Sequence, residues 1–321
     1  MFDVDAVITW VDGSDPALAR QRDHYLSHAQ APLHDNGTNP HRWVCSDELN
    51  FCLRSIANNA RWVRRVWIVT DNQIPEIATL PADFAAKISV VDHKDIFAGF
   101  EDALPTFNSL SIETMLWRIP SLSEHFLYFN DDVFLTARVE VSDFFSDVGP
   151  VLRGKWVDYS HLPDCDVSRD EASLLNHYNQ INSAAMVGYP ADHIFASAHV
   201  VHPMQCSIMA GLFAAHRDAF IANAAHRFRC TEQFLPQSLH NHAALKSAHG
   251  HVLERRDYLH VEVGAFENWS VDDVHSCLSS AKRHDIKFLC VNDLPELERN
   301  FPDVRAWIEE AIGQGEASWQ K

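Results

Sequence analysis

Along the first 150 residues, short apolar runs alternate with segments whose apolar positions recur at helical spacing. Asp5-Ala6-Val7-Ile8-Thr9-Trp10-Val11 reads as a buried strand, being short and β-branched, and it stops at the turn-forming run Asp12-Gly13-Ser14-Asp15-Pro16. Residues 66–70, 88–91 and 126–129 repeat the pattern. Between them, Ser46 is placed to cap a helix with Leu49, Cys52, Leu53 and Ile56 on one face, and a second helix runs through Ile112, Met115, Leu116 and Ile119. Strands alternating with helices predict an α/β fold: a mainly parallel, Rossmann-like sheet flanked by helices. Ligands of such sheets sit beyond the carboxyl ends of the strands. The polar clusters Asp12 to Asp15, Asp71-Asn72, Asp92-His93 and Asn130 to Asp132 stand at those ends.

The pattern changes after about residue 150. Residues 151–198 are mixed and polar, which predicts an irregular insertion or lid. From Pro203 the chain reads as mainly helical, with a capping box at Ser270-Val271-Asp272-Asp273 and a last helix carrying Val304, Trp307 and Ile308. A returning strand over 287–291 ends in Asn292-Asp293. The expected organisation is a core over 1–150, the insertion over 151–198, and a largely helical part over 199–321 that completes one catalytic unit.

Composition narrows the partners. A formal charge of −18 argues against a nucleic-acid or anionic-membrane binder, since each needs a basic face. No apolar stretch is long enough for a transmembrane segment, and the first residues lack the basic and apolar regions of a signal peptide, so the expected location is cytoplasmic. Seven scattered Cys read as free thiols.

Candidate chemistry follows from residue types at element ends. The carboxylates of Asn130-Asp131-Asp132 suit a hard divalent cation that leaves room for substrate phosphates, although an Asx turn would use the same residues. Asn292-Asp293 repeats the arrangement. Asp12-Gly13 offers close backbone approach to a ligand or simply a tight turn. Glu48 favours the positive end of its helix, and Arg54 could reach a phosphate or a surface acid. His199 and His202 are each candidates for a general base, or for zinc ligands with Cys206. Arg227 and Arg229 supply guanidinium groups suited to phosphate.

Together these segments resemble the Stealth family of hexose-1-phosphate transferases, which includes bacterial capsular polysaccharide phosphotransferases. The resemblance runs through Asp5 to Pro16, then Arg42, Ser46-Asp47-Glu48-Leu49 and Leu53-Arg54-Ser55-Ile56. It continues through Ile68 to Pro75, Pro105 to Ser109, Asn130 to Phe134, Ala198-His199, Arg227-Phe228-Arg229 and Lys287 to Asp293. It implies transfer of a sugar 1-phosphate from a UDP-sugar, UDP-N-acetylhexosamine foremost, to a saccharide acceptor hydroxyl with release of UMP. It also implies catalytic roles for His199, Arg229 and Glu48, with His202 as rival base and Arg227 in reserve. Trp10, Asp12, Gly13, Arg54 and Asn130 would then bind the donor, and Asp131, Asp132 and Asp293, with Asn292 beside them, would hold Mg2+ or Mn2+. The competing readings are a metal-dependent glycosyltransferase releasing UDP, a carbohydrate-binding protein without catalysis, and a zinc hydrolase on His199, His202 and Cys206.

Overall fold

The computed structural model describes residues 2–29, 33–44, 46–78, 80–162, 165, 169–262 and 269–313. Its centre is a five-stranded sheet built from Val4–Thr9 (β1), Val66–Thr70 (β2), Ile88–Asp92 (β3), His125–Asn130 (β4) and an edge strand, His202–Gln205. β1 lies between β2 and β4, parallel to both, and β3 extends the sheet beyond β2. The edge strand runs antiparallel to β4, with His202 opposite Tyr128. This register brings Thr9 beside Asn130 and Thr70 beside Asp92, so the polar strand ends share one rim.

Strand alternation divides the core between the two faces of the sheet. Ala6, Ile8, Ile68, Leu127 and Phe129 pack with Leu49, Leu53 and Ile56 of the helix Glu48–Asn59. Val7, Val69, Phe126 and Tyr128 pack on the other face with Met209 and Leu239, from helices Cys206–Ala215 and Pro236–Lys246. The opposite end of the sheet is pinned by buried Asp5. Burial alone would raise its pKa, but hydrogen bonds from Arg64, Trp67 and Ser123 outweigh that and hold the carboxyl below its ordinary range.

A second, three-stranded sheet joins the first just past β4. Phe288–Val291 runs parallel to Tyr258–Val261 and antiparallel to Val133–Leu135. The Val291 amide donates to the Asp132 carbonyl at 3.0 Å, which draws Asn292 to the acidic turn.

Several elements depart from the sequence reading. Ser46 does not cap its helix. Asp47 occupies the N-cap position with φ 70° and no side-chain cap, while the Ser46 hydroxyl donates to Glu298. The helix through Ile112 ends at Met115 and tightens to a 3-10 turn over Leu116–Arg118. The stretch expected to be irregular contains paired strands Gly154–Val157 and Ile194–Ser197 and a helix, Leu175–Met186. That helix hides from a hydrophobicity pattern because its buried face includes Asn179 and Ser183. The Asn179 side-chain nitrogen donates to the Cys230 and Gln233 carbonyls, and the Ser183 hydroxyl to that of Asn179, so the donors of both are satisfied while Asn179 Oδ1 is left without a partner among the described residues. Among the described residues no helix is long and apolar enough to cross a membrane.

Candidate active site

The site begins in β4, where residues two apart share a face. The Tyr128 hydroxyl donates to Asn130 Oδ1 at 2.6 Å and lies 3.0 Å from Glu113 Oε1 and 3.1 Å from Thr9 Oγ1. A phenol has one proton to give, so Asn130 Oδ1, the nearer acceptor, competes for it with Glu113 Oε1. Burial raises the Glu113 carboxyl above its ordinary range, against the charge of Arg229 and the Tyr128 hydrogen bond.

With its oxygen engaged, the Asn130 amide turns its nitrogen toward His199, and Nδ2 lies 2.7 Å from His199 Nε2. An amide nitrogen only donates, so His199 Nε2 accepts and its proton sits on Nδ1. Burial pulls the His199 pKa below that of an ordinary histidine; nearby Asp132 opposes this, while His260 and Arg229 add to it. The lowered pKa favours the neutral ring, and Nε2 lies 3.8 Å from Asp132 Oδ1.

Asp132 is held from the second sheet. Its Oδ2 accepts from Asn292 Nδ2 at 2.6 Å, and Asn292 Oδ1 in turn accepts from His260 Nε2. Asp132 Oδ1 is buried without a hydrogen-bond partner. Burial, Asp132 and Glu48 push the Asp131 carboxyl well above its ordinary range, and burial, Asp132 and Glu298 push Glu48 up to about 7. Three crowded carboxyl groups, one with a bare buried oxygen, are hard oxygen donors with an unmet need for positive charge, and they fit a divalent cation. A softer group stands beside them: His199, His260 and buried Cys290 have ligating atoms within 4.8 Å of one another.

Arg229 reaches the same cluster. It donates to the Ser109 hydroxyl, and its charge acts on Glu113, Tyr128 and Asp132.

The remaining candidates lie differently. Arg54 pairs with Glu309 at 3.2 Å and covers the Phe51 ring, a tie to the helix Val304–Ile312. Arg227 donates to the Asp102 and Leu104 carbonyls and stacks on Tyr25, a structural tie. His202 is pushed down to about 3, chiefly by burial with His199 and His240 adding to it, so it does not take a proton near neutral pH. Cys206 donates to the Ser123 carbonyl, away from a zinc set with the two histidines. Asp293 stands at φ 52°, lining a cavity of about 580 Å³ with Ser46 and Glu298; Asn292, not Asp293, reaches Asp132.

Trp10 continues β1 by donating its amide to the Val69 carbonyl. Asp12 closes an Asx turn, its Oδ1 accepting from the Ser14 amide and hydroxyl. A Cβ on Gly13 would lie 2.0 Å from the Trp43 carbonyl oxygen, so this glycine admits a neighbouring backbone.

Glu113, Tyr128 and His260 were not singled out from sequence. The available signals were a carboxylate on the buried side of an apolar helix and a histidine in a short strand, Tyr258–Val261.

Fold and cluster together define an α/β protein with an acid–imidazole–guanidinium site at the carboxyl ends of its parallel strands. The chain belongs to the Stealth family: Stealth protein CR1, conserved region 1, matches residues 2–28, and Stealth protein CR2, conserved region 2, matches residues 42–151. It is 34% identical over 252 residues to the exopolysaccharide phosphotransferase cps2G of Lactiplantibacillus plantarum, covering 71% of each chain. It is 34% identical over 244 residues to an exopolysaccharide phosphotransferase of Streptomyces coelicolor, covering 76% of this chain and 40% of that protein. A second from that organism is 32% identical over 265 residues, covering 82% of this chain and 42% of that one, so the chain spans well under half of these two relatives. The solved galactosyltransferase LgtC superposes on 89% of this chain and 86% of its own at 12% identity and TM-score 0.40, too slight a likeness to bear on function.

Proposed function

We propose that the chain transfers a sugar 1-phosphate from a UDP-sugar to a saccharide hydroxyl in exopolysaccharide synthesis, releasing UMP. The observation that carries this reading is the gathering of Asp131, Asp132, Glu48, His199 and Arg229 at one sheet rim, with Asp132 Oδ1 left unpartnered. Asp131 and Asp132, with Glu48 close by, would hold Mg2+ or Mn2+. When bound, such an ion supplies positive charge to neutralise the diphosphate.

The chain's own residues supply the rest. The acceptor oxygen forms a bond to the phosphorus nearest the sugar, the bond from that phosphorus to the bridging oxygen breaks, and UMP departs with the electron pair. The hydroxyl proton passes to His199 Nε2, whose lone pair is kept free of a proton by burial and by the Asn130 amide; the acceptor hydroxyl displaces that amide. Arg229 stabilises negative charge on the phosphoryl oxygens during transfer. Tyr128 and Glu113 orient Asn130, and Asn292 orients Asp132.

The test is incubation with a panel of UDP-sugars, Mg2+ or Mn2+ and oligosaccharide acceptors, with chromatography of the released nucleotide. UMP together with a phosphodiester product supports the reading. UDP with a glycosidic product replaces it with a glycosyltransferase. Failure of folded protein to turn over any donor removes both.

A further inference from the structure

We propose that Arg42 and Arg229 form a paired-guanidinium cradle for the phosphoryl oxygens of a phosphate or diphosphate ligand, with Arg42 as a binding residue in its own right. The inference deepens the transferase reading and rests on it only for the identity of the natural ligand.

Two backbone contacts bring these arginines together. Arg42 lies in the 3-10 turn Pro40–Trp43 and grips Asn36, its Nε donating to the Asn36 carbonyl at 2.7 Å and its Nη2 to Asn36 Oδ1. The next residue, Gly37, packs on the backbone of Arg229 so closely that a Cβ there would lie 2.8 Å from the Arg229 carbonyl oxygen. A segment fixed at Asn36 and pressed against Arg229 through Gly37 holds Arg42 beside Arg229.

The protein meets these charges only in part, through Glu113 and Asp132 acting on Arg229 and through Asp293 and Glu113 acting on Arg42. Among the described residues neither guanidinium makes an ion pair: Arg42 donates to Asn36 and Arg229 to Ser109, neither of which carries a charge. Burial first, and then the positive charge of Arg229, pull the Arg42 pKa down to about 9; Asp293 and Glu113 act the other way without undoing it. Burial likewise lowers Arg229. A guanidinium does not give up its proton in a protein, so two of them held together in a partly buried place are eased by an anion. The planar fork matches phosphate oxygens, and charge-assisted hydrogen bonds of this kind are about twice as strong as neutral ones. Asp132 also acts on Arg229, so the cradle adjoins the acidic cluster: cations on one side, crowded carboxylates on the other. That division suits a diphosphate whose far oxygens face a metal ion.

The test titrates inorganic pyrophosphate into the whole chain by calorimetry in chelator-treated buffer, so that no metal contributes. Wild type should bind, Arg42→Gln should bind about 10- to 100-fold more weakly, and Arg42→Lys should fall between them. Because Arg42 also anchors Asn36, wild-type protein is treated in parallel with phenylglyoxal, and modified arginines are mapped by mass spectrometry. Pyrophosphate should protect Arg42 and Arg229. Equal binding by wild type and a folded Arg42→Gln, no binding by wild type, or no protection of Arg42 overturns the cradle. Arg42-dependent pyrophosphate binding without turnover of any UDP-sugar would sink the transferase reading and leave the cradle standing. Unchanged UDP-sugar turnover in Arg42→Gln would do the reverse.

Discussion

The Asn130 side-chain nitrogen lies 2.7 Å from His199 Nε2, and this contact decides which histidine nitrogen carries the proton. The Tyr128 hydroxyl holds the amide by its oxygen, so the nitrogen must face the ring. His199 is therefore presented as a neutral base with Nε2 as the accepting atom.

If His199 takes the acceptor proton, its lowered pKa sets the acid limb of the rate profile. The neutral form persists below the ordinary histidine value of 6.5, so kcat/KM should hold its plateau there and fall only on further acidification. His199→Ala should lose about 100- to 10,000-fold in rate while staying folded. His202, held neutral by burial, should leave the profile in place when changed to Gln. At saturating Mg2+, which keeps the Glu48 and Asp131 carboxylates ionised, an acid limb centred above 6.5, or one that moves in His202→Gln, would show that another group is the base.

Gly13→Val should damage stability before it touches donor affinity. The new Cβ would start 2.0 Å from the Trp43 carbonyl oxygen, an overlap that only a backbone shift relieves. Overpacking of this kind costs about 1–3 kcal/mol. A thermal melt alongside donor KM separates the outcomes. An unchanged melting temperature with a raised donor KM would return Gly13 to the role of a ligand-facing glycine.

The parallel strands were legible because β-branched runs bounded by turn residues have few other folded states. The site was legible where chemistry stood at strand ends: Asn130 to Asp132, and Asn292 at the end of Phe288–Val291. What escaped were contacts set by chain crossings. Arg54 has the same side chain whether it meets a phosphate or Glu309, and only the docking of helix Val304–Ile312 decides. Glu113 looked like one polar residue in an apolar helix until Tyr128 was brought 3.0 Å from it across the sheet face. Gly13 announces a close approach, but not what approaches.

Arg153 and Asp257 form a buried, two-pronged pair, with both hydrogen bonds at 2.7 Å and side-chain exposures of 1% and 0%. The pair lies beneath the second sheet, where the Asp257 carbonyl accepts the Lys287 amide at 2.7 Å and the guanidinium covers the Phe288 ring. Asp257→Asn leaves a buried cation poorly compensated and should cost about 3–5 kcal/mol, whereas Arg153→Met with Asp257→Leu should recover most of that loss. Denaturant unfolding of the three proteins checks this. A double variant no more stable than the single one would mean that the pair also fixes the sheet's geometry.

Glu48→Gln should make the metal-free protein more stable and less able to bind a metal. The Glu48 carboxyl is pushed up to about 7 by burial, Asp132 and Glu298, from 4.5 for an ordinary glutamate. Ionisation is therefore disfavoured in the folded state relative to the unfolded one. The penalty is absent below 4.5, grows as pH rises from there toward 7, and is fully present above that. Gln keeps an oxygen to accept the Ser46 amide, which donates to Glu48 at 2.5 Å, and removes the charge. In chelator at about pH 8 the variant should exceed wild type by about 1–3 kcal/mol, and the difference should shrink toward about pH 5. Saturating Mn2+ should reverse the order, because the cation supplies the charge that three crowded carboxylates lack. Chemical unfolding at the two pH values, with and without Mn2+, measures all of this. A variant that is less stable than wild type in chelator at the higher pH would show that the Glu48 charge is already compensated within the protein.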